Sequence, residues 1–145
     1  MRLWHYKLIP YLPNSQLVAQ WRELNAIFKN QPKHILINYI YGYPRRYIQE
    51  YSKSVMNEME SRGYKITDTA FQHYLDYCMK EGFLKTSYSG EDVHFREHSD
   101  LYLTICYYNL CEKYLRGQED FTDEIFEKLQ EFYASEVKDD DGDCE

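Results

Sequence analysis

A chain of 145 residues carrying 17 Lys and Arg against 24 Asp and Glu, formal net charge −7, fits one domain. A domain of that length buries roughly two-thirds of its unfolded surface, enough for a core without metal or disulfide support. The four cysteines, Cys78, Cys106, Cys111 and Cys144, form no CxxC pair and read as reduced thiols of a cytoplasmic protein. No apolar stretch approaches the roughly 18 residues of a membrane span, and Pro10 and Pro13 interrupt any signal-like run.

The net charge hides a division. Residues 1–66 hold ten Lys and Arg against four Asp and Glu, whereas residues 67–145 hold seven against twenty. A basic half in an acidic protein points to one face meant for an anion. Part of the acidity lies in the ending from Glu136 to Glu145, which lacks apolar residues to bury. The expected organisation is therefore one domain over 1–134, followed by a disordered acidic tail over 135–145.

In chain order, residues 1–9 are apolar enough to dock on the domain. Pro13-Asn14-Ser15 opens a helix running to about Lys29, with Asn14 or Ser15 as N-cap. Its stripe is Leu17, Trp21, Leu24 and Phe28, at helical spacing. Residues 30–44 form a punctuated connection whose only strand-like alternation is Tyr39-Tyr41-Tyr43. Pro44 starts a second helix that buries Ile48, Tyr51, Val55 and Met59 and ends at Gly63. Thr67 or Asp68 caps a third through Phe71, Leu75 and Cys78 to Gly82, followed by an irregular loop over 83–97 around Ser89-Gly90. A fourth helix turns Leu101, Ile105, Tyr108 and Leu115 inward and stops at Gly117. Asp120 or Thr122 opens a fifth with Ile125, Leu129 and Phe132 inward. The fold class is all-α, a compact domain of about five helices.

Three constellations could carry chemistry. Arg22 points away from the first helix's apolar stripe, and Glu23 sits on its flank, about 120° from the centre at roughly 100° per residue. A carboxylate there can be partly desolvated and still reach a substrate, as acid/base work requires, or it can be one half of a surface Arg/Glu pair. Arg45 and Arg46 stand among tyrosines at a helix N-terminus, an arrangement that suits phosphates and unpaired bases, or one in which the tyrosines pack and the arginines are solvated. His94-Phe-Arg-Glu-His98 fits an H-x-x-E-H zinc pattern with Glu97 as base, against a solvated or capping pair of histidines. No third ligand can be assigned, so no metal and no cofactor are expected. A free chain amine is in addition partly neutral and nucleophilic near neutral pH.

Together, Leu17-Val-Ala-Gln-Trp-Arg-Glu-Leu24, Phe28, Lys33-His34 and Met56-Asn-Glu-Met-Glu-Ser-Arg-Gly-Tyr-Lys-Ile66 with Asp68-Thr69 resemble the pyrimidine-dimer DNA glycosylase family of endonuclease V type. Weaker similarity returns at His98 and Leu110-Cys-Glu-Lys113. The resemblance implies a compact all-α fold in which the chain's α-amine is the nucleophile. Arg is too bulky at position two for ordinary Met excision, so Met1 should be retained as that residue, with Arg2 matching the family's following Arg. It implies attack of the Met1 amine on C1′ to give a Schiff base, with Glu23 assisting ring opening and removing the C2′ proton. Arg2, Arg22, Lys33 and His34 would hold phosphates and open the duplex. Two departures are visible: Ala26 stands where the family has a basic residue, and an acidic segment replaces its basic, aromatic C-terminus.

The expected function is a DNA-repair glycosylase and AP lyase acting on pyrimidine dimers or abasic sites. Damaged duplex would meet the basic N-terminal half, with Arg45 and Arg46 contributing. The alternative is a non-catalytic nucleic-acid or protein interaction module that keeps the fold.

Overall fold

The computed structural model describes residues 1–80 and 93–143, with side chains up to residue 137. Five α-helices carry the fold: α1 Asn14–Asn30, α2 Arg45–Ser61, α3 Asp68–Met79, α4 Asp100–Leu115 and α5 Asp123–Asp143. Two 3-10 helices, Tyr6–Tyr11 and Asn38–Gly42, complete it, and no strand occurs among the described residues. The class is all-α, as the periodicity predicts.

The apolar stripe of α1 forms the centre: Leu17, Trp21, Leu24, Ile27 and Phe28 are all buried. They pack against α2 and α3, while the first 3-10 helix packs on α2, α4 and α5. The helix starts at Asn14 without a cap from Asn14 or Ser15, contrary to expectation. Asp120, from the turn before α5, accepts from the Ser15 backbone N–H at 2.5 Å and from its hydroxyl at 2.9 Å. The Ser15 donor is thus satisfied from a distant segment, while the Gln16 and Leu17 N–H groups donate locally to the Pro13 carbonyl at 3.0 Å.

Ile48, Tyr51, Val55 and Met59 of α2 are buried, and Gly63 closes its end at φ +90°. There Tyr64 N–H reaches back to the Met59 carbonyl at 2.9 Å, a return that needs a left-handed residue. One residue before Gly63, Arg62 fastens α2 to the segment entering α1. It donates to Glu58 Oε2, the Leu12 and Pro10 carbonyls and Asn14 Oδ1, at 2.7–3.1 Å.

Several sequence expectations are corrected. The Tyr39-Tyr41-Tyr43 alternation is not a strand: Tyr39 and Tyr41 lie in a 3-10 helix that Tyr43 closes, and all three rings pack against the hydrophobic core. Thr67, not Asp68, caps α3, accepting from Ala70 N–H at 3.2 Å, and Phe71 lies exposed while Tyr74 and Tyr77 take the inward face. Gly82 and the loop residues up to 92 lie outside the described residues, as does Cys144; 93–99 are non-helical. Thr122 rather than Asp120 caps α5, accepting from Ile125 N–H at 3.3 Å.

The largest correction concerns α4. Leu101, Ile105, Tyr108 and Leu115 are exposed, and the core face is Leu103, Cys106, Tyr107 and Leu110. Two apolar stripes share this helix, so periodicity alone cannot choose between them. Aromatic pairing on α5 decides: Tyr107 stacks on Tyr133 with centroids 3.8 Å apart, and Tyr114 stacks on Phe126 at 3.9 Å. Helix α5 also continues past residue 134, and Lys7 Nζ donates to Glu136 Oε2 at 3.0 Å, so the start of the acidic segment is in contact with the first 3-10 helix.

Candidate active site

Residues 3 and 4 are held by one hydrogen bond from each of three helices. Gln20 of α1 accepts from the Trp4 N–H at 2.8 Å, and the Tyr102 hydroxyl of α4 donates to the Leu3 carbonyl at 2.5 Å. The buried Tyr51 hydroxyl of α2 lies 2.7 Å from the Trp4 carbonyl and 2.9 Å from Gln20 Oε1, donating to one at a time. With Leu3 and Trp4 buried, the chain before them emerges at a fixed place.

That place is an open cleft lined by Met1, Arg2 and Trp4, by Gln16, Ala19, Gln20 and Glu23 of α1, by Leu36, and by Asn109 and Lys113 of α4. Glu23 is half-buried on its rim. Gln20 Nε2 donates to Glu23 Oε2 and to the Arg2 carbonyl, both at 3.2 Å. Burial pushes the Glu23 carboxyl above its ordinary value. The Met1 ammonium, the Arg2 backbone N–H, the Gln20 amide and His34 pull it back, in that order. A carboxyl raised by desolvation yet facing an amine is suited to give and take protons.

Arg2 lies with its guanidinium 6.0 Å from the ring centroids of both Trp4 and Tyr102, along the wall between the N-terminus and α4. The remaining expected site residues divide. His34 acts electrostatically on Glu23, and Lys33 is exposed beside it. Arg22 lines a different groove, between α1 and α3, with Asn25, Lys29, Thr67, Thr69 and His73. Arg45 is engaged inside the fold: its guanidinium lies 4.0 Å from the Tyr77 ring centroid and donates to the Tyr77 carbonyl at 2.8 Å, joining α2 to α3. Arg46 stacks near Tyr47 at 5.5 Å. Neither lines the cleft.

The H-x-x-E-H segment is a turn before α4, and its members part. His94 stacks on Tyr6 at 3.7 Å, Glu97 accepts from the Tyr43 hydroxyl at 2.7 Å, and both ring nitrogens of buried His98 are hydrogen-bonded. Among the described residues no group of three or more His, Cys, Asp or Glu could hold a metal.

Gln20, Asn109 and Lys113 escaped the sequence reading as site residues. A glutamine between Ala19 and Trp21 looks like a surface position, and only its 1 % exposure reveals its role. Asn109 and Lys113 could have been found as an i, i+4 polar pair on α4. Replacing Gln20 by Leu is expected to cost about 2–4 kcal/mol, because Trp4 N–H and Glu23 each lose a partner. Urea denaturation measures this; a loss below about 1 kcal/mol would show that the network does not hold the N-terminal segment.

Fold and site thus define an all-α domain in which a docked chain terminus shares a cleft with a half-buried carboxylate. Residues 1–72 match the family model described as pyrimidine dimer DNA glycosylase, bearing out the resemblance carried by the α1 and α2 motifs. The match spans the segment that contributes Met1, Arg2, Gln20, Glu23 and Leu36 to the cleft, and stops before Asn109 and Lys113. No curated protein and no solved structure matches the chain. Among the described residues no helix is long and apolar enough to cross a membrane.

Proposed function

We propose that this protein is a DNA glycosylase and AP lyase, with the Met1 α-amine as nucleophile and Glu23 as the proton-transfer group. The family match supports a DNA-repair glycosylase role in general terms. The single observation that favours the specific chemistry is that Met1, Arg2 and Glu23 line one cleft, with the Gln20 amide donating to Glu23 Oε2 at 3.2 Å.

In the reaction proposed, the neutral amine displaces the C1′ hydroxyl of an abasic sugar or the base of a damaged nucleotide, and the proton that the nitrogen sheds goes to that leaving group, which departs as water or as the free base. Glu23, protonated, gives its proton to O4′ as the C1′–O4′ bond breaks, and an imine forms between Met1 and C1′. The resulting carboxylate removes the C2′ proton. That electron pair forms the C2′–C3′ double bond and the C3′–O bond breaks, releasing the 3′ phosphate. Arg2 and Lys113 line the cleft and would provide positive charge for the flanking phosphates, with Lys33 and His34 offering further contacts from the exposed turn after α1. Arg22 offers the same in the neighbouring groove with Lys29. Abasic sites fit the open cleft with fewer demands than a dimer, and the acidic α5 replaces the basic C-terminal grip the family resemblance implies.

Borohydride reduction on an abasic-site duplex tests the amine mechanism. A covalent adduct is expected, and acetylating the N-terminus is expected to abolish it. An adduct indifferent to acetylation, or none at all, defeats the proposal and leaves the interaction-module alternative.

A further inference from the structure

The turn after α1 ends in two apolar side chains held out into solvent. Ile35 is 85 % exposed and Leu36 41 %. The apex is braced from below. His34 N–H donates to Asn38 Oδ1 at 2.8 Å, the Ile37 and Asn38 N–H groups both donate to the His34 carbonyl at 2.9 Å, and Ile37 itself is fully buried. The Tyr41 hydroxyl fixes the approach, donating to the Pro32 carbonyl at 2.6 Å. A rigid turn with a β-branched residue at its tip is neither a flexible linker nor a part of the core.

Its position gives the tip a use. Leu36 lines the same cleft as Met1 and Glu23, so the apolar edge is continuous with the candidate active site. Lys33 precedes it, exposed, and His34 Nδ1 accepts from the Leu36 N–H at 3.2 Å. A cation beside an apolar point matches a duplex, whose phosphates lie outside and whose base faces lie within. Apolar side chains of this kind open duplexes by entering between base steps, and chemistry at C1′ requires the nucleotide to leave the stack.

We propose that Ile35 and Leu36 form a wedge that enters the base stack at the lesion and holds the duplex open while the cleft engages the sugar. This rests on the glycosylase and lyase reading and adds the element that admits a paired substrate. The wedge makes the protein act on paired duplex, whereas an already opened site needs it little.

The test uses Ile35→Ser, a change at the exposed tip and outside the cleft lining, with an unchanged thermal melt as the fold control. One abasic-site duplex carries 2-aminopurine opposite the lesion in an otherwise paired context; a second has mismatches flanking the lesion. Wild-type protein is expected to raise 2-aminopurine fluorescence and to form borohydride adduct on both duplexes. The Ile35→Ser variant is expected to lose the fluorescence rise and to trap roughly 10- to 100-fold more slowly on the paired duplex, while staying within about twofold on the opened one. Equal slowing on both duplexes, or no slowing, overturns the wedge and leaves the amine mechanism standing. A variant altered only in sedimentation assigns the tip to a second copy of the chain and likewise overturns it. Absence of adduct from both proteins on both duplexes defeats the glycosylase reading and the wedge with it.

Discussion

Replacing Glu23 by Gln is expected to lower strand cleavage at an abasic site by about a hundred- to ten-thousand-fold, the range for losing a positioned proton-transfer group. Glutamine keeps an oxygen to accept from the Arg2 N–H and keeps the contact with Gln20, but it cannot take the C2′ proton. The same change should not harm the fold. Burial raises the Glu23 carboxyl above its ordinary value, so the native state disfavours the charge that the unfolded chain carries freely at pH 7. The melting temperature of Glu23→Gln should therefore equal or slightly exceed that of the wild type. Cleavage assays and thermal melts on one preparation check both halves. A variant that cleaves at the wild-type rate removes Glu23 from the mechanism; one that loses activity and several degrees together marks it as structural.

Acid is expected to unfold the protein earlier than carboxylate titration alone would do. His5 and His98 sit side by side beneath the N-terminal segment, with ring centroids 5.4 Å apart. His5 Nδ1 accepts from the Lys7 N–H at 3.2 Å, and its Nε2 donates to the His98 carbonyl at 2.9 Å. His98 Nδ1 accepts from the Tyr6 N–H at 3.3 Å, while Nε2 meets the Tyr39 hydroxyl at 2.8 Å. Each ring thus needs one bare nitrogen, and a second proton would set N–H against N–H. Desolvation by burial lowers His5 to about 4 and His98 to about 3, with mutual repulsion adding to the fall at His98.

The sign follows from linkage. The unfolded chain takes up these protons below about pH 6.5 and the folded one does not. Stability is therefore fully present above pH 6.5 and is lost as pH falls toward 4 and 3. A histidine held neutral in this way contributes at most about 1.4 kcal/mol per pH unit. Glu23 acts in the opposite sense, since its raised carboxyl gains from protonation, but it is one group against two. Melting temperature should be level above pH 6.5 and fall by several degrees per unit below it. His98→Gln, which can still accept from Tyr6 and donate to Tyr39, should start lower and slope less. A wild-type curve that stays flat from pH 6.5 to 4.5 would refute the neutral pair.

What the sequence disclosed and what it withheld divide along physical lines. The α1 stripe is legible because Leu17, Trp21, Leu24 and Phe28 leave that helix one apolar face. The faces of α4 are not, because Leu101, Ile105, Tyr108 and Leu115 repeat as regularly as Leu103, Cys106, Tyr107 and Leu110. Only the aromatic partners on α5 break the tie. Local rules also fail where a distant residue takes over a local role, as Asp120 does in satisfying the start of α1 in place of Asn14 or Ser15. Glu23 stands out as a carboxylate on the flank of an apolar face. Gln20, whose amide orients that carboxylate, carries no charge and no motif, and Arg45 looks available until Tyr77 is found beneath it.

The three-helix clamp on Leu3 and Trp4 also sets a length scale. Met1 and Arg2 lie beyond it, and two residues at roughly 3.3–3.6 Å each span about 7 Å. In the proposed reaction an amine on so short a leash would act as an intramolecular reagent, with most of its translational freedom already surrendered on folding. Every residue added ahead of Met1 would carry the amine about 3.5 Å further from Glu23. In the proposed reaction the Met1 nitrogen would thus be a positioned group like any side chain of the cleft.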